Sequence, residues 1–323
     1  MRKIFTWHIH GSYLYYLSQG PYTIYIPVTE SRKEEGYYGR GETFPFGDNV
    51  IEVPVDEVKN LDLDVIVFQA DANYLEDQYR ILSEAQRSLP KIYIEHDPPW
   101  AHPAHEKHIV DDPEMTLVHV THYNRLMWDN NRTPTRVIEH GVTVPEHLSY
   151  SGEKARGVVV INNLPQRGRM LGLDIFLKVR EHLPIDIVGM GTGDLGLGEV
   201  LHPQLPRFLT QYRFYLHPVR YTSLGLSVCE SMMLGLPIVG LATTELPTVI
   251  DNGVSGFVHT DVDYLIEKMQ ALLDDRDLAA QMGAAARKTA LEKFNIQRFT
   301  AEWNALFEEM IAAHADAALT ASA

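Results

Sequence analysis

Short apolar runs alternate with amphipathic stretches along most of the chain, which predicts strands and helices in turn, layered as an α/β protein on parallel sheets. In the first half, Lys3 to His10 reads as a buried strand, and Gly11-Ser12 opens a helix through Tyr13 to Ser18. Thr23 to Val28 gives a second strand. The glycine-rich, charged stretch from Ser31 to Asp48 is expected to be a mobile loop. Val50 to Val53 is a short strand, Asp62 to Gln69 a strong one, and Tyr74 to Leu89 has a helical period. Lys91 to Glu95 is a further strand, ending in His96-Asp97-Pro98-Pro99-Trp100. Prolines force an extended exit there, at the end of a strand where open α/β sheets bind ligands. Met115 to Thr121 (strand), Tyr123 to Trp128 (helix) and Thr135 to Val142 follow. The polar run from Pro145 to Arg156 reads as a linker.

The second half repeats the alternation. Gly157 to Asn162 and Ile185 to Val188 are strands around an amphipathic helix from Met170 to Leu183, and Gly189 to Gly193 is a loop. Leu205 to Gln211 is helical and Arg213 to Pro218 is an aromatic-rich strand. A helix is then expected from about Ser223, as N-cap, to Gly235, with a strand over Leu236 to Leu241. Thr243 or Thr244 is the candidate cap of a short helix. Asp261 to Leu273, Asp277 to Phe294 and Ala301 to Ile311 carry helical periods, and the alanine-rich end from Ala312 is expected to fray.

The loop at Ser223, Leu224 and Gly225 carries the chemistry. It puts unpaired N–H groups and the positive end of a helix dipole at the carboxyl end of a strand, an arrangement that favours phosphate. Gly225 lets the backbone approach such a ligand closely. Glu230, about a turn and a half into the helix, can accept hydrogen bonds from ribose hydroxyls. Gly11 and Ser12 repeat the strand, glycine loop, helix arrangement more weakly.

The stretch Tyr212 to Gly256 resembles the nucleotide-sugar-binding core of the retaining GT-B glycosyltransferases of family 4, with its pattern E-G-F-G-L-x-x-x-E-A-M-A-x-G-x-P-V-V. Gly225, Leu226, Glu230, Met232, Gly235, Pro237 and Val239 fall in register, and Asn252, Gly253 and Gly256 match the later D-G-x-x-G with asparagine for aspartate. Thr222 stands where the family has the first glutamate of its E-x7-E pair, a contact to the donor sugar. Asn163 replaces the family arginine, and Arg167 and Arg169 are the nearest cations to the place of the family lysine. Gly191 lies in the counterpart of the family's V-G-x-G turn. His96 matches a family histidine that reaches the donor sugar, and Thr243 and Thr244 lie in a loop that packs near the donor in relatives.

The resemblance implies two Rossmann-like, doubly wound domains facing a cleft. Residues 1–148 would form the acceptor side and residues 149–295 the nucleotide-sugar domain, with residues 296–323 as a helix returning to the first domain and a frayed tail. It implies donor binding by Gly11, Ser12, Asn163, Arg167, Gly191, Thr222, Ser223, Leu224, Gly225, Leu226, Glu230, Thr243 and Thr244, with His96 and Arg169 as catalytic groups. The reaction would be sugar transfer with retention from a nucleotide-diphosphate sugar to a hydroxyl of a glycan, a lipid-linked or a small-molecule acceptor. No metal or further cofactor is implied. The leaving diphosphate would take the proton of the incoming hydroxyl, and domain closure would exclude water.

Composition narrows the partners. With 28 basic and 43 acidic residues the net charge is −15 over 323 residues, which argues against nucleic acid. A single cysteine, Cys229, excludes an intrachain disulfide and a thiolate metal cluster. His8 and His10 point the same way on one strand without a third ligand, so polar lining of a cleft is the expectation there, and His102, His105 and His108, in a loop, match no metal spacing. The chain has no signal-peptide h-region and no run of about 18 apolar residues, so a cytoplasmic protein is expected, with peripheral membrane contact left open. Two other readings stay open on Thr222 and Asn163: a non-catalytic nucleotide-sugar-binding protein and, further off, a nucleotide-sugar epimerase, which would need a pair of carboxylates for proton abstraction.

Overall fold

A computed structural model describes residues 1–321, and contacts divide the chain into two units: Met1–Gly141 together with the segment from Ile296, and Val142–Asn295. In the first, strands β1 (Arg2–Thr6), β2 (Tyr22–Val28), β3 (Val50–Pro54), β4 (Val65–Phe68), β5 (Lys91–Glu95), β6 (Thr116–His119) and β7 (Thr135–Val137) form one parallel sheet in the order β3-β2-β1-β4-β5-β6-β7. Central strands such as β4 are buried along their whole length, as expected of a parallel sheet covered on both faces. Helices α1 (Gly11–Leu17), α2 (Gln78–Ile81), α3 (Glu84–Arg87) and α4 (His122–Met127) connect them.

The helical period expected over 74–89 is broken. A π-helical turn at Asn73–Asp77 runs into α2, and Ser83 then caps α3, accepting from the Gln86 N–H while the Gln86 side chain accepts from the Ser83 N–H. The Gln86 amide is spent on the carbonyls of Val58 and Leu61, which fixes the break. The stretch 31–48, expected to be mobile, is anchored by buried Tyr37 and Phe46 and by bridges from Gly36 to His8 and from Tyr38 to Val28.

The second unit repeats the architecture with β8 (Lys154–Val160), β9 (Ile185–Val188), β10 (Tyr212–His217), β11 (Ile238–Leu241) and β12 (Gly256–His259), all parallel in the order β12-β11-β10-β8-β9. Its helices are α5 (Leu164–Arg167), α6 (Leu173–His182), α7 (Leu205–Leu209), α8 (Leu226–Leu234), α9 (Leu246–Val249), α10 (Val262–Asp274) and α11 (Arg276–Lys293). The polar stretch read as a linker up to Arg156 already enters β8 at Lys154, which pairs with Tyr212 and lays its ammonium over the Phe208 and Tyr212 rings. The helix expected over 170–183 begins only at Leu173, because Gly172, in the left-handed region at φ +87°, ends a 3-10 turn over Gly168–Leu171.

From Ile296 the chain returns to the first unit as α12 (Ile296–Ala321). Phe299, Trp303 and Phe307 are buried there, the Trp303 indole N–H donates to Tyr13 Oη at 3.2 Å, and Arg298 donates to the carbonyls of Glu139 and His140. The helix runs beyond the expected Ile311 to Ala321, through the described part of the stretch expected to fray, in keeping with the high helix propensity of alanine; the last two residues of that stretch lie outside the described residues. No helix among the described residues is long and apolar enough to cross a membrane.

In both units the strand order reverses beside the first strand: β1 lies between β2 and β4, and β8 between β9 and β10. Such a switch point opens a crevice at the carboxyl ends of the strands.

Candidate functional site

In the second unit the crevice is walled by the loops after β8 and β10. β10 is buried at every position and delivers Pro218–Gly225 to the start of α8. The helix begins at Leu226 and not near Ser223: Gly225 is extended (φ −69°, ψ 137°) and takes the N-cap position, with no side chain capping the first turn. A Cβ at Gly225 would meet nothing nearer than Ser227 Oγ at 3.6 Å, so the protein itself leaves the space over this helix end open. Ser223 is 6% exposed and its hydroxyl has no hydrogen-bond partner. Uncapped N–H groups, open space and an unpaired buried hydroxyl together make a ready anion site.

Glu230, one turn into α8, is also 6% exposed. Its Oε1 lies 3.3 Å from His202 Nε2, a residue that sequence reasoning did not single out. His202 sits in the turn before α7, and no local pattern ties it to Glu230.

The loops after β8 and β9 are joined directly. Asn163 has φ +55°, its N–H donates to the Met190 carbonyl at 2.7 Å, and the Met190 N–H donates to Asn162 Oδ1 at 2.9 Å. A Cβ at Gly191 (φ +61°) would stand 2.2 Å from Asn163 Oδ1, so Gly191 and Asn163 form one contact.

The arginines are arranged differently from the expectation of two side by side. Arg169 is paired with Asp174 at 2.5 Å, while Arg167 is an exposed residue at the end of α5. Asp174 is held bidentately by Arg220 at 2.6 and 2.8 Å, and Arg220 Nη1 also donates to the Arg169 carbonyl at 2.6 Å. The Arg220 hydrogen bonds, followed by burial acting the other way and the charges of both guanidiniums, hold the Asp174 carboxyl below its ordinary range. Arg220, missed in the sequence, thereby ties the loop after β8 to the loop after β10. Gly172 closes the same seam, since a Cβ there would lie 2.1 Å from the Pro218 carbonyl oxygen.

Thr222 is half-buried beside Ser223 and Leu224. Thr243 donates through Oγ1 to the Val219 carbonyl at 3.0 Å, and Thr244 takes φ +53°. Neither threonine caps α9; Glu245 occupies that position without a capping bond from its side chain, and its Oε1 instead accepts from Thr248 Oγ1. The structure thus gathers Asn163 with Gly191, Arg169 with Asp174 and Arg220, and Thr243 with the loop bearing Thr222 to Gly225.

In the first unit the crevice after β1 and β4 holds a polar chain. Gln69 donates to Thr6 Oγ1 at 3.0 Å and to the Trp7 carbonyl at 3.1 Å, which turns its Oε1 towards His96 Nε2 at 3.2 Å. A carbonyl only accepts, so the amide orientation is fixed and His96 carries its proton on Nε2. The His10 and His96 ring centroids are 3.9 Å apart, and Tyr13 meets His96 edge-on at 4.7 Å. Burial pushes His10 down to about 4, and burial followed by the neighbouring His10 and His140 pushes His96 down as well. Gln69, like His202 and Arg220, is a residue that the sequence did not mark.

Gly11 and Ser12 open α1, but a Cβ at Gly11 would strike the Phe44 ring at 2.5 Å, so packing alone explains the glycine. His8 and His10, expected to point the same way on one strand, lie beyond the end of β1 and part company. His8 Nδ1 bonds the Gly39 carbonyl at 2.6 Å, whereas His10 faces His96. His102 and His105 pair on the surface, while buried His108 bonds Glu95. Among the described residues no three His, Cys, Asp or Glu side chains converge as a metal site.

Comparison with known proteins fits this geometry. The family model described as Glycosyl transferases group 1 matches residues 196–289, the segment that contains the loop after β10, α8 and β11. A trehalose synthase of Thermococcus litoralis is 38% identical over 74 residues, a match that spans 23% of this chain and 18% of that protein. Sucrose-phosphate synthase from Thermosynechococcus elongatus superposes with a TM-score of 0.70 at 13% identity, over 97% of this chain and 100% of that one. Anabaena HepE, solved in complex with UDP, gives 0.64 at 14% identity, over 96% and 100% of the two chains. At those identities the likeness establishes the fold. Two parallel α/β units and a returning helix are the GT-B architecture, and residues 196–289 are similar to the glycosyl transferases group 1 family.

Proposed function

We propose that the protein transfers a sugar from a nucleotide-diphosphate sugar to a hydroxyl group, with retention of configuration and without a metal ion. The observation that carries this reading is the uncapped start of α8 at Gly225, with the unpaired buried Ser223 hydroxyl before it and Glu230 one turn behind. The diphosphate takes the helix N-terminus and the ribose hydroxyls take Glu230. Anabaena HepE, of the same fold, was solved with UDP, which supports a uridine nucleotide as the first donor to test.

In the proposed reaction the acceptor oxygen forms a bond to the anomeric carbon as the bond from that carbon to the diphosphate oxygen breaks. The hydroxyl proton passes to the leaving diphosphate on the same face of the sugar. Positive charge from Arg169 and Arg167, together with the α8 dipole, stabilises the leaving group, which makes electrostatics the protein's main contribution. In this reading His96, with its Nε2 proton fixed by Gln69, contacts a donor-sugar hydroxyl. Donor binding at Asn163, Gly191, Thr222, Leu224, Leu226, Thr243 and Thr244 belongs to the same reading, and the first unit supplies the acceptor side.

Thr222, at the place of the family's glutamate, favours one other reading: a protein that binds the nucleotide sugar without turnover. Incubation with UDP-sugars and a panel of glycosides, with and without EDTA, separates the two. The proposal expects release of UDP that survives EDTA and a product whose anomeric proton keeps the donor's configuration. Binding without release of UDP favours the non-catalytic reading.

A further inference from the structure

The first unit contains a cavity of about 240 Å³ opening where β4 and β5 end; His96 and Gln69 line one side, and the donor-side reading leaves the rest unused. Its wall is acidic: Asp71, Glu95, Asp97 and Glu106 stand against one cation, Lys107. These groups are held in place. Tyr93 Oη donates to Asp71 Oδ1 at 2.9 Å, and the Asp97 N–H donates to Glu95 Oε1 at 2.9 Å. The Ala101 N–H donates to Glu106 Oε2 at 2.6 Å. His108 accepts the Val110 N–H on Nδ1, so its Nε2 carries the proton and donates to Glu95 Oε2 at 3.0 Å. Burial raises the Glu95 carboxyl to about 8 and lowers His108 to about 4, and the two are bonded to each other at the bottom of the cavity. Two tryptophans complete the lining: Trp128, whose indole N–H is fixed on the Asp97 carbonyl at 2.8 Å, and Trp100, which is 47% exposed.

Resting on the transferase reading, we propose that this cavity is the acceptor subsite and that it takes an uncharged sugar unit, rejecting phosphorylated or otherwise anionic acceptors. Three features converge on that class. Acidic walls repel an anion, and no second cation is present to compensate it. The carboxylates of the wall accept from hydroxyls and Lys107 donates to them, so the lining suits groups that do both. An aromatic face carries negative potential and attracts the partly positive C–H groups on one side of a pyranose ring, a role that exposed Trp100 can fill.

The test measures binding of methyl glucoside, methyl mannoside, methyl galactoside, glucosamine, glucose 6-phosphate and glucuronate to the full chain by saturation-transfer NMR, on wild type and Trp100→Ala. Nucleotide binding is measured in parallel on both proteins by thermal shift. The proposal expects at least one neutral glycoside to bind, the anionic sugars to bind about tenfold more weakly or not at all, and Trp100→Ala to lose about tenfold in glycoside affinity. The nucleotide response of Trp100→Ala is expected to equal that of wild type. No binding of any neutral glycoside, stronger binding of an anionic or amino sugar, or unchanged binding by Trp100→Ala overturns it. A nucleotide response without glycoside binding overturns the subsite and leaves the donor reading intact. Glycoside binding without a nucleotide response removes the transferase reading, and with it the acceptor role, while the cavity remains a neutral-sugar site.

Discussion

Glu230 Oε1 and His202 Nε2 lie 3.3 Å apart, which couples the carboxylate on α8 to the turn before α7. A carboxylate that serves a ligand from a buried position must be held in one orientation, and His202 supplies a partner for one of its oxygens. Glu230→Ala is expected to weaken nucleotide binding by roughly ten- to a hundredfold, the range for hydrogen bonds to a charged group. His202→Ala removes only the positioning contact and is expected to cost several-fold. Titration calorimetry on both variants checks the order of the two effects; a larger loss for His202→Ala would assign the contact to the histidine instead.

Asp174 joins two arginines from two loops, so its removal acts on both. Asp174→Asn and Arg220→Ala should each lower stability, by about 1 kcal/mol given their partial exposure. Their effects should be non-additive in the double variant, with a coupling of about 0.5 kcal/mol or more. Urea unfolding of the four proteins measures it, and strict additivity would show that the pair contributes nothing to the seam.

Gly168 and Gly191 both have positive φ, at +58° and +61°, but of the two only Gly191 abuts another side chain. Gly168→Ala is therefore expected to cost only the backbone strain of a nearly glycine-only conformation (φ +58°, ψ −139°), about 1–3 kcal/mol. Gly191→Ala has to move Asn163 as well, and should destabilise further and weaken nucleotide binding. Melting temperatures and nucleotide affinities of the two variants give the comparison; equal behaviour would remove the Asn163 contact from the account.

Burial holds His10, His108, His119 and His217 at about 4, and His96 is lowered too. Between their unfolded value near 6.5 and about 4, the unfolded chain binds protons that the folded chain refuses. Stability should therefore be full above about pH 6.5 and fall as pH drops through that window. Glu95, raised to about 8 by burial, acts in the opposite sense between about 4.5 and 8, and one group offsets only part of five. Denaturant midpoints at pH 7.5, 6 and 5 test the sign; a midpoint that rises on acidification would contradict it.

How much of this was readable from sequence depends on whether the determinant is local. The α/β alternation, the strand cores and the helix stop at Gly235 are local, because period and the tolerance of glycine for φ +88° are properties of a few adjacent residues. The N-cap of α8 lies two residues beyond the expected Ser223, since Ser223 has the chemistry of an N-cap while the extended backbone at Gly225 decides the position. Arg220, His202 and Gln69 were not readable at all. Each acts through a partner brought close by the fold: Asp174 is 46 positions from Arg220, Glu230 is 28 from His202, and His96 is 27 from Gln69. The break at Ser83 was overlooked for a related reason, because the Gln86 bonds that stabilise it reach back to Val58 and Leu61.

The donor site proposed at Gly225, Ser223 and Glu230 carries the functional reading, and thermal shift with UDP, GDP, ADP and CDP on wild type and Glu230→Ala tests it most directly. A ligand at about a hundred times its dissociation constant adds roughly 2.7 kcal/mol to folded-state stability, enough to raise the melting temperature by several degrees. The account predicts a rise with one diphosphate, UDP first, and a smaller rise with Glu230→Ala at the same concentration. No rise with any of the four, or the same rise in the variant, would contradict it.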